Sequence, residues 1–165
     1  MLVNVALNVP VVHIGRDLII AKDGAILESG DLWSRDAYNM VYSVDKGHYP
    51  SNLTDGREDT RAYPAHWYFD YIVDLGRVYE IQEIKLVWGE YADPKYVTNW
   101  NLYKQEALGN NWNRAWSGGE PCSEHTLEMD ITAMRLRVSA ESVRDGKVLN
   151  WIGIYGLEAW AEELA

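Results

Sequence analysis

The segment Asn52-Leu53-Thr54-Asp55-Gly56-Arg57-Glu58-Asp59-Thr60 carries an Asp-Gly pair with a hydroxyl five residues beyond the Asp. Such a segment can curl into a tight loop in which side-chain and backbone oxygens converge on a hard cation such as calcium. A second source of chemistry is the aromatic set, 8 Trp and 11 Tyr against a single Phe. These rings carry a polar handle, so they can pack in a core and still present a face to a wet, polar ligand. Trp67, Trp88 and Trp160 fall at apolar strand positions and are read as core. Trp151 follows the polar run Arg144-Asp145-Gly146-Lys147, and its sequence context is compatible with a packed or an exposed ring. The four histidines, His13, His48, His66 and His125, lack metal-ligand spacing, which argues against zinc. Catalytic patterns are wanting too: there is no Gly-x-Ser-x-Gly elbow or phosphate-binding Gly-Lys-Thr loop, and Cys122 sits beside Pro121 in a polar turn. With 25 acidic residues, accidental carboxylate pairs are guaranteed, so no glycosidase pair can be read from them.

The elements that must position these residues read as strands. Ile81-Gln82-Glu83-Ile84-Lys85-Leu86-Val87-Trp88 alternates, with apolar residues at 84, 86 and 88, as a half-buried strand does. Trp67 to Gly76 precedes it, Gly89 to Pro94 breaks it, and Tyr96 to Tyr103 is the next strand. Trp112 to Trp116, Met134 to Ala140 and a closing segment from about Trp151 to Trp160 follow. Near the start, Asn4 to Val12 reads as one edge strand bearing Pro10, and Lys22-Asp23-Gly24 joins two apolar runs as a hairpin. Long 3.6-residue periodicity is absent, and short strands at near-regular spacing predict a β-sandwich.

At 165 residues the chain is one domain, large enough for its own core. A net charge of -10 with no Lys/Arg run disfavours nucleic acid and anionic lipid, and leaves neutral sugars and divalent cations as compatible partners. No stretch approaches the ~18 apolar residues of a membrane span, and Met1-Leu2-Val3-Asn4-Val5 has no basic region before an apolar core, so no signal peptide is visible. Cys122 is the sole cysteine, so no intrachain disulfide forms.

The opening Asn4 to Val12, the Asp-Gly loop, the strand ending Asp74-Leu75-Gly76 and the closing Asn150-Trp151-Ile152-Gly153-Ile154-Tyr155 together resemble the discoidin, or coagulation-factor type C, domains. Within that galactose-binding-domain-like group the chain is most similar to the bacterial family 32 carbohydrate-binding modules, because animal relatives usually tie their ends with a disulfide. The resemblance spans Asn4 to Pro10 and Asn52 to about Trp160, and leaves an insertion at about residues 15–49. It implies an all-β, antiparallel jelly-roll β-sandwich over residues 1–165, with ligand loops at one end. The function it implies is non-catalytic glycan binding, as part of a secreted, extracellular or periplasmic parent whose other domains are further partners. The alternative is a protein-interaction or structural β-sandwich domain without sugar binding.

The resemblance also carries residues. It implies a structural calcium ion held by the backbone carbonyls of Asn52 and Arg57, the carboxylate of Asp55, and the hydroxyl and carbonyl of Thr60. The family adds a Glu from the closing strand; here that position is Gly156, and Glu158 lies two residues on, on the same strand face. Three outcomes stay open: Glu158 reaches in through a bulge, a water or backbone oxygen fills the gap, or the loop closes without metal. Sugar contacts are implied in the loop after the Trp-ending strand, at Tyr91, Asp93 and Lys95, and in the loop before the closing strand, at Arg144, Asn150 and Trp151. Trp33 and His48 of the insertion are further candidates. The Arg usual in the first of these loops is not evident, and Lys95 is the nearest cation.

Overall fold

A computed structural model describes residues 1–13, 18–22, 25–29, 47–118 and 122–162. Trp33 and most of the 15–49 insertion lie outside the described residues. The elements are strands β1 (Leu2–Asn4), β2 (Val11–His13), β3 (Leu18–Lys22), β4 (Ala25–Ser29), β5 (Ala62–His66), β6 (Tyr68–Val87), β7 (Asn99–Gln105), β8 (Asn113–Gly118), β9 (Glu124–Glu141), β10 (Val143–Arg144), β11 (Lys147–Val148), β12 (Ile152–Ile154) and β13 (Gly156–Glu162). Short 3-10 turns occupy Pro50–Leu53 and Gly89–Tyr91, and there is no α-helix among the described residues.

Two long strands organise the sandwich. The first half of β6, Tyr68 to Asp74, pairs with the end of β9, Arg135 to Glu141, while its second half, Tyr79 to Val87, pairs with Glu124 to Ala133. The register shifts between Asp74 and Tyr79, where the Gly76 N–H donates to Asp74 Oδ1 at 2.9 Å and Arg77 and Val78 lie exposed. One side of this bend builds the layer β4-β3-β2-β6-β9-β7-β8. On the other side β13 joins the second half of β6, and β1 joins β13. The layers face each other, because Phe69 at the start of β6 stacks on Trp88 just past its end, with ring centroids 6.2 Å apart. Trp88 in turn meets Trp100 of β7 at 5.6 Å. Phe69, Trp88, Trp100, Leu102, Leu136 and Val138 are all fully buried, as period-2 alternation on each strand demands.

The expected hairpin across Lys22-Asp23-Gly24 is present as the β3–β4 pair, with Lys22 opposite Ala25. Two other expectations are corrected. Asn4 to Val12 is not one strand: it is β1 and β2 joined by a turn in which Asn8 adopts φ 58° and gives its N–H to Thr54 O at 2.7 Å. Pro10 has no N–H for a ladder, so the break falls where it costs least. The closing segment likewise divides into β12 and β13. β12 pairs with β5, placing Ile152 opposite His66 and Ile154 opposite Ala62, whereas β13 returns to β6. The change of partner at Tyr155 is what builds the end of the molecule where the loops collect.

Close packing of the Trp100 ring leaves no room beside Gly118 on the edge strand β8. A Cβ there would lie 2.3 Å from Trp100 Cε2 and 2.4 Å from Nε1, and the ring is wholly buried against Trp88. Gly118→Ala is therefore expected to lower stability by about 1–3 kcal/mol through overpacking. Urea unfolding measures this, and an unchanged midpoint would show that the indole can shift.

Candidate functional site

At the end of the sandwich where β5, β12 and the Gly89–Tyr91 turn meet, a cleft of about 410 Å³ opens, lined by His48, Asn52, Asp59, Thr60, Arg61 and Tyr155 among others. Arg61 leads directly from the Asp-Gly loop into β5. Its Nη1 pairs with Glu90 Oε1, and the Tyr155 hydroxyl donates to the same oxygen at 2.8 Å. The guanidinium lies 5.2 Å from the Tyr63 ring centroid and 5.8 Å from that of Tyr91, so it rests on an aromatic floor. His48 meets Tyr63 edge-on at 5.5 Å. Burial works against the Arg61 charge, but Tyr91, Tyr155 and Glu90 outweigh it and raise its pKa above the ordinary arginine value. Burial, then the hydrogen bond to Glu90, raises the Tyr155 pKa, which keeps its phenol a donor at neutral pH. The Arg61 and Glu90 side chains are 28% and 51% exposed, so the pair adds at most about 1 kcal/mol to stability. Its value is geometric: it fixes a fork of N–H donors, a carboxylate acceptor and a phenol around one opening.

The floor can form because two glycines let rings approach backbone. A Cβ on Gly89, which has φ +56°, would stand 2.8 Å from the Tyr155 ring. One on Gly153 would meet Ala62 O at 2.8 Å, Tyr91 at 3.1 Å and Tyr63 at 3.2 Å. Tyr91 itself is only 5% exposed, in ring contact with Tyr63, Tyr96 and Tyr155. Its place is thus beneath the surface, as the support under Arg61, because the rings around it cover the faces a ligand would need.

Asp93 and Lys95 are exposed on the loop after that turn, where Asp93 Oδ1 accepts the Lys95 N–H at 3.0 Å. The Lys95 ammonium lies 5.2 Å from the Tyr96 ring centroid, and Tyr96 touches Tyr91, so a run of tyrosines connects Lys95 to Arg61. Arg144, Asn150 and Trp151 are exposed on the other loop. Arg144 belongs to the hairpin of β10 and β11, whose turn has φ 52° at Asp145 and 75° at Gly146, the left-handed pair that suits strand twist. Trp151 is 37% exposed, with its N–H on Asn150 Oδ1 at 3.0 Å. It precedes β12 as Tyr155 follows it, which spaces their Cα atoms by about 13 Å at ~3.3 Å per residue.

Ser142 joins the two loops. Fully buried, it donates its N–H to Trp67 O at 2.7 Å and accepts the Leu149 N–H on its carbonyl at 2.9 Å. Its hydroxyl donates to Lys95 O at 3.4 Å and accepts the Asn150 N–H at 3.2 Å. Thr98 reinforces the junction, its Oγ1 donating to Val143 O at 2.8 Å and accepting the Val143 N–H at 2.9 Å.

Of the remaining predicted residues, all but Glu158 occupy the Asp-Gly loop. Asn52 spans it with its side-chain amide, donating to Gly47 O and Arg61 O, both at 2.9 Å. Asp55 accepts the Arg57 N–H at 2.9 Å and the Thr60 hydroxyl at 2.5 Å. Glu158 stands on β13 with its Oε2 3.3 Å from Lys85 Nζ. Reading by sequence missed Arg61, Glu90, Tyr155 and Ser142. The available signal was the position of Arg61 one residue past the Asp-Gly loop.

Removing the Ser142 hydroxyl leaves the Lys95 carbonyl and Asn150 amide without that partner in a part-buried setting. Ser142→Ala is expected to cost about 1–3 kcal/mol, and to speed amide exchange at residues 95–98 and 149–150 together. Faster exchange in only one loop would show that the hydroxyl does not couple them.

No protein-family model matches the sequence, and no curated protein matches it. Solved structures do. Chitosan-binding module 1 from a chitosanase/glucanase of Paenibacillus sp. IK-5 superposes with a TM-score of 0.63 at 19% identity, over 95% of this chain and 98% of that one. Chitosan-binding module 2 of the same enzyme, solved with chitotriose, gives 0.61 at 17% identity over 94% and 98%. CpGH89CBM32-5 from Clostridium perfringens, solved with GalNAc-β-1,3-galactose, gives 0.56 at 21% identity over 72% and 88%. At such identities the likeness is one of fold, and the fold is the antiparallel β-sandwich of carbohydrate-binding modules.

Proposed function

We propose that this chain is a non-catalytic carbohydrate-binding module that holds a neutral glycan at the loop end of its sandwich. The observation that carries this reading is the Arg61, Glu90 and Tyr155 constellation, seated on tyrosine rings at the mouth of the cleft. Sugar hydroxyls need donors and acceptors in a fixed arrangement beside an apolar face; this constellation supplies the former, and the exposed ring of Trp151 supplies the latter. The exposed rim at Asp93, Lys95, Arg144, Asn150 and Trp151 extends the surface for further sugar rings. A net charge of -10 disfavours strongly anionic polymers as the natural match. The fold likeness supports the reading, because two of the similar modules were solved with bound oligosaccharides. In this proposal the domain targets a secreted parent protein to glycan outside the cytoplasm. A second reading, a protein-interaction domain, is favoured by the exposed run of Val148, Leu149 and Trp151, which are 51%, 41% and 37% exposed.

A glycan array separates the two readings, since a protein-interaction domain retains no sugar. For the positive glycan, calorimetric titration is expected to give a dissociation constant on the order of micromolar to millimolar, as a shallow site must desolvate many hydroxyls. Arg61→Ala is expected to weaken binding at least about tenfold, the equivalent of ~1.4 kcal/mol. Trp151→Ala is expected to cost about 1–3 kcal/mol of affinity by loss of ring stacking, with little change in melting temperature given its exposure. Unchanged affinity in both variants would remove this end of the molecule from the site.

A further inference from the structure

The resemblance calls for a calcium ion in the Asn52 to Thr60 loop, and the donors present here test that demand. Calcium takes six to eight oxygens, with carboxylates supplying most of the charge. Of the two carboxylates in the expected set, Asp55 already accepts the Arg57 N–H and the Thr60 hydroxyl, and Glu158 is bound by Lys85. Where the family has a Glu, Gly156 contributes no side chain, and a void of about 70 Å³ remains, lined among others by Leu53, Gly56, Glu58, Lys85 and Gly156. The donor set does not fit the ion.

What stands at this junction is a cation of the protein's own. Lys85 Nζ lies 2.5 Å from Glu124 of β9, 3.3 Å from Glu158 of β13 and 3.4 Å from Glu58 of the loop. The Lys85 and Glu158 side chains are 23% and 25% exposed, whereas Glu58 is 69% exposed, so the contact with the loop contributes position more than energy. We propose that the Lys85 ammonium does in this chain what calcium does in the resembling family: it ties the Asp-Gly loop to the closing strand, so that the loop is independent of metal. An ammonium is a compact charge with three donors, which suits three carboxylates arriving from three elements. A divalent ion held by Glu158 would meet like charge, since Lys85 Nζ lies 3.3 Å from that carboxylate. Internal hydrogen bonds of Asp55 complete the closure that metal coordination would otherwise supply.

The test is thermal unfolding of the whole chain, in chelator and in millimolar calcium, combined with amide exchange of residues 52–60. The melting temperature of the unaltered protein is expected to be the same in both buffers. Lys85→Met is expected to lower it equally in both and to speed exchange in the loop. Glu58→Gln, which leaves the β-strand partners of Lys85 in place and should fold normally, is expected to speed exchange in the loop alone. A calcium-dependent rise of several degrees that Asp55→Ala abolishes would overturn the proposal, as ligand linkage would then be at work. Unchanged loop exchange in Glu58→Gln would overturn it as well.

Discussion

Phe69 and Trp88 stand at opposite ends of one strand, yet their rings stack at 6.2 Å. That contact requires the chain to turn over on itself at Asp74 to Val78, and the turn makes one strand contribute to both layers of the sandwich. Hydrophobic burial drives it: Phe69, Tyr71, Val73, Ile84, Leu86 and Trp88 are all buried, and none could be covered by a flat sheet alone. Since β9 follows β6 through the same bend, the two strands act as a common frame. The loops at 89–98 and 142–151 leave from ends of that frame, whereas the Asp-Gly loop leads into β5, which pairs with β12.

Precision at the site comes from small residues and buried hydrogen bonds more than from charge. Gly89 and Gly153 let Tyr155, Tyr91 and Tyr63 lie against backbone, which brings Arg61 to a defined height over two rings. Ser142 uses a single hydroxyl to hold loops that approach from different parts of the chain. Neutral hydrogen bonds of this kind each contribute about 1 kcal/mol net, but an unpaired buried partner costs more, so the arrangement is strongly specified.

Charge has a separate role. The chain carries -10 overall, and several of its cations are placed among acids: Arg61 beside Glu90, Lys85 among Glu58, Glu124 and Glu158, and Arg57 beside Asp59. Exposed pairs such as Arg57 and Asp59 contribute little. Lys85 differs because it joins a loop and two strands, so its loss would be felt in geometry beyond any pairwise energy.

Much of this was present in the linear chain. Period-2 alternation in Ile81 to Trp88 and Met134 to Ala140 determined the strands and the burial of Trp88, because side chains on a strand must alternate whatever the tertiary setting. The Asp-Gly pair determined a tight loop, closed through Asp55 and Thr60 as local spacing allows. Tertiary structure alone decided the rest. It sent Tyr91 below the surface, since whether a ring is covered depends on Tyr63 and Tyr155, which belong to β5 and the end of β12. It selected Arg61, whose partner Glu90 is 29 residues away and shares its oxygen with a tyrosine a further 65 residues on. It gave Glu158 to Lys85 and left Gly156 beside a void. Such contacts depend on which strands become neighbours, and strand neighbours are chosen by burial of the whole core, so no local pattern of residues encodes them.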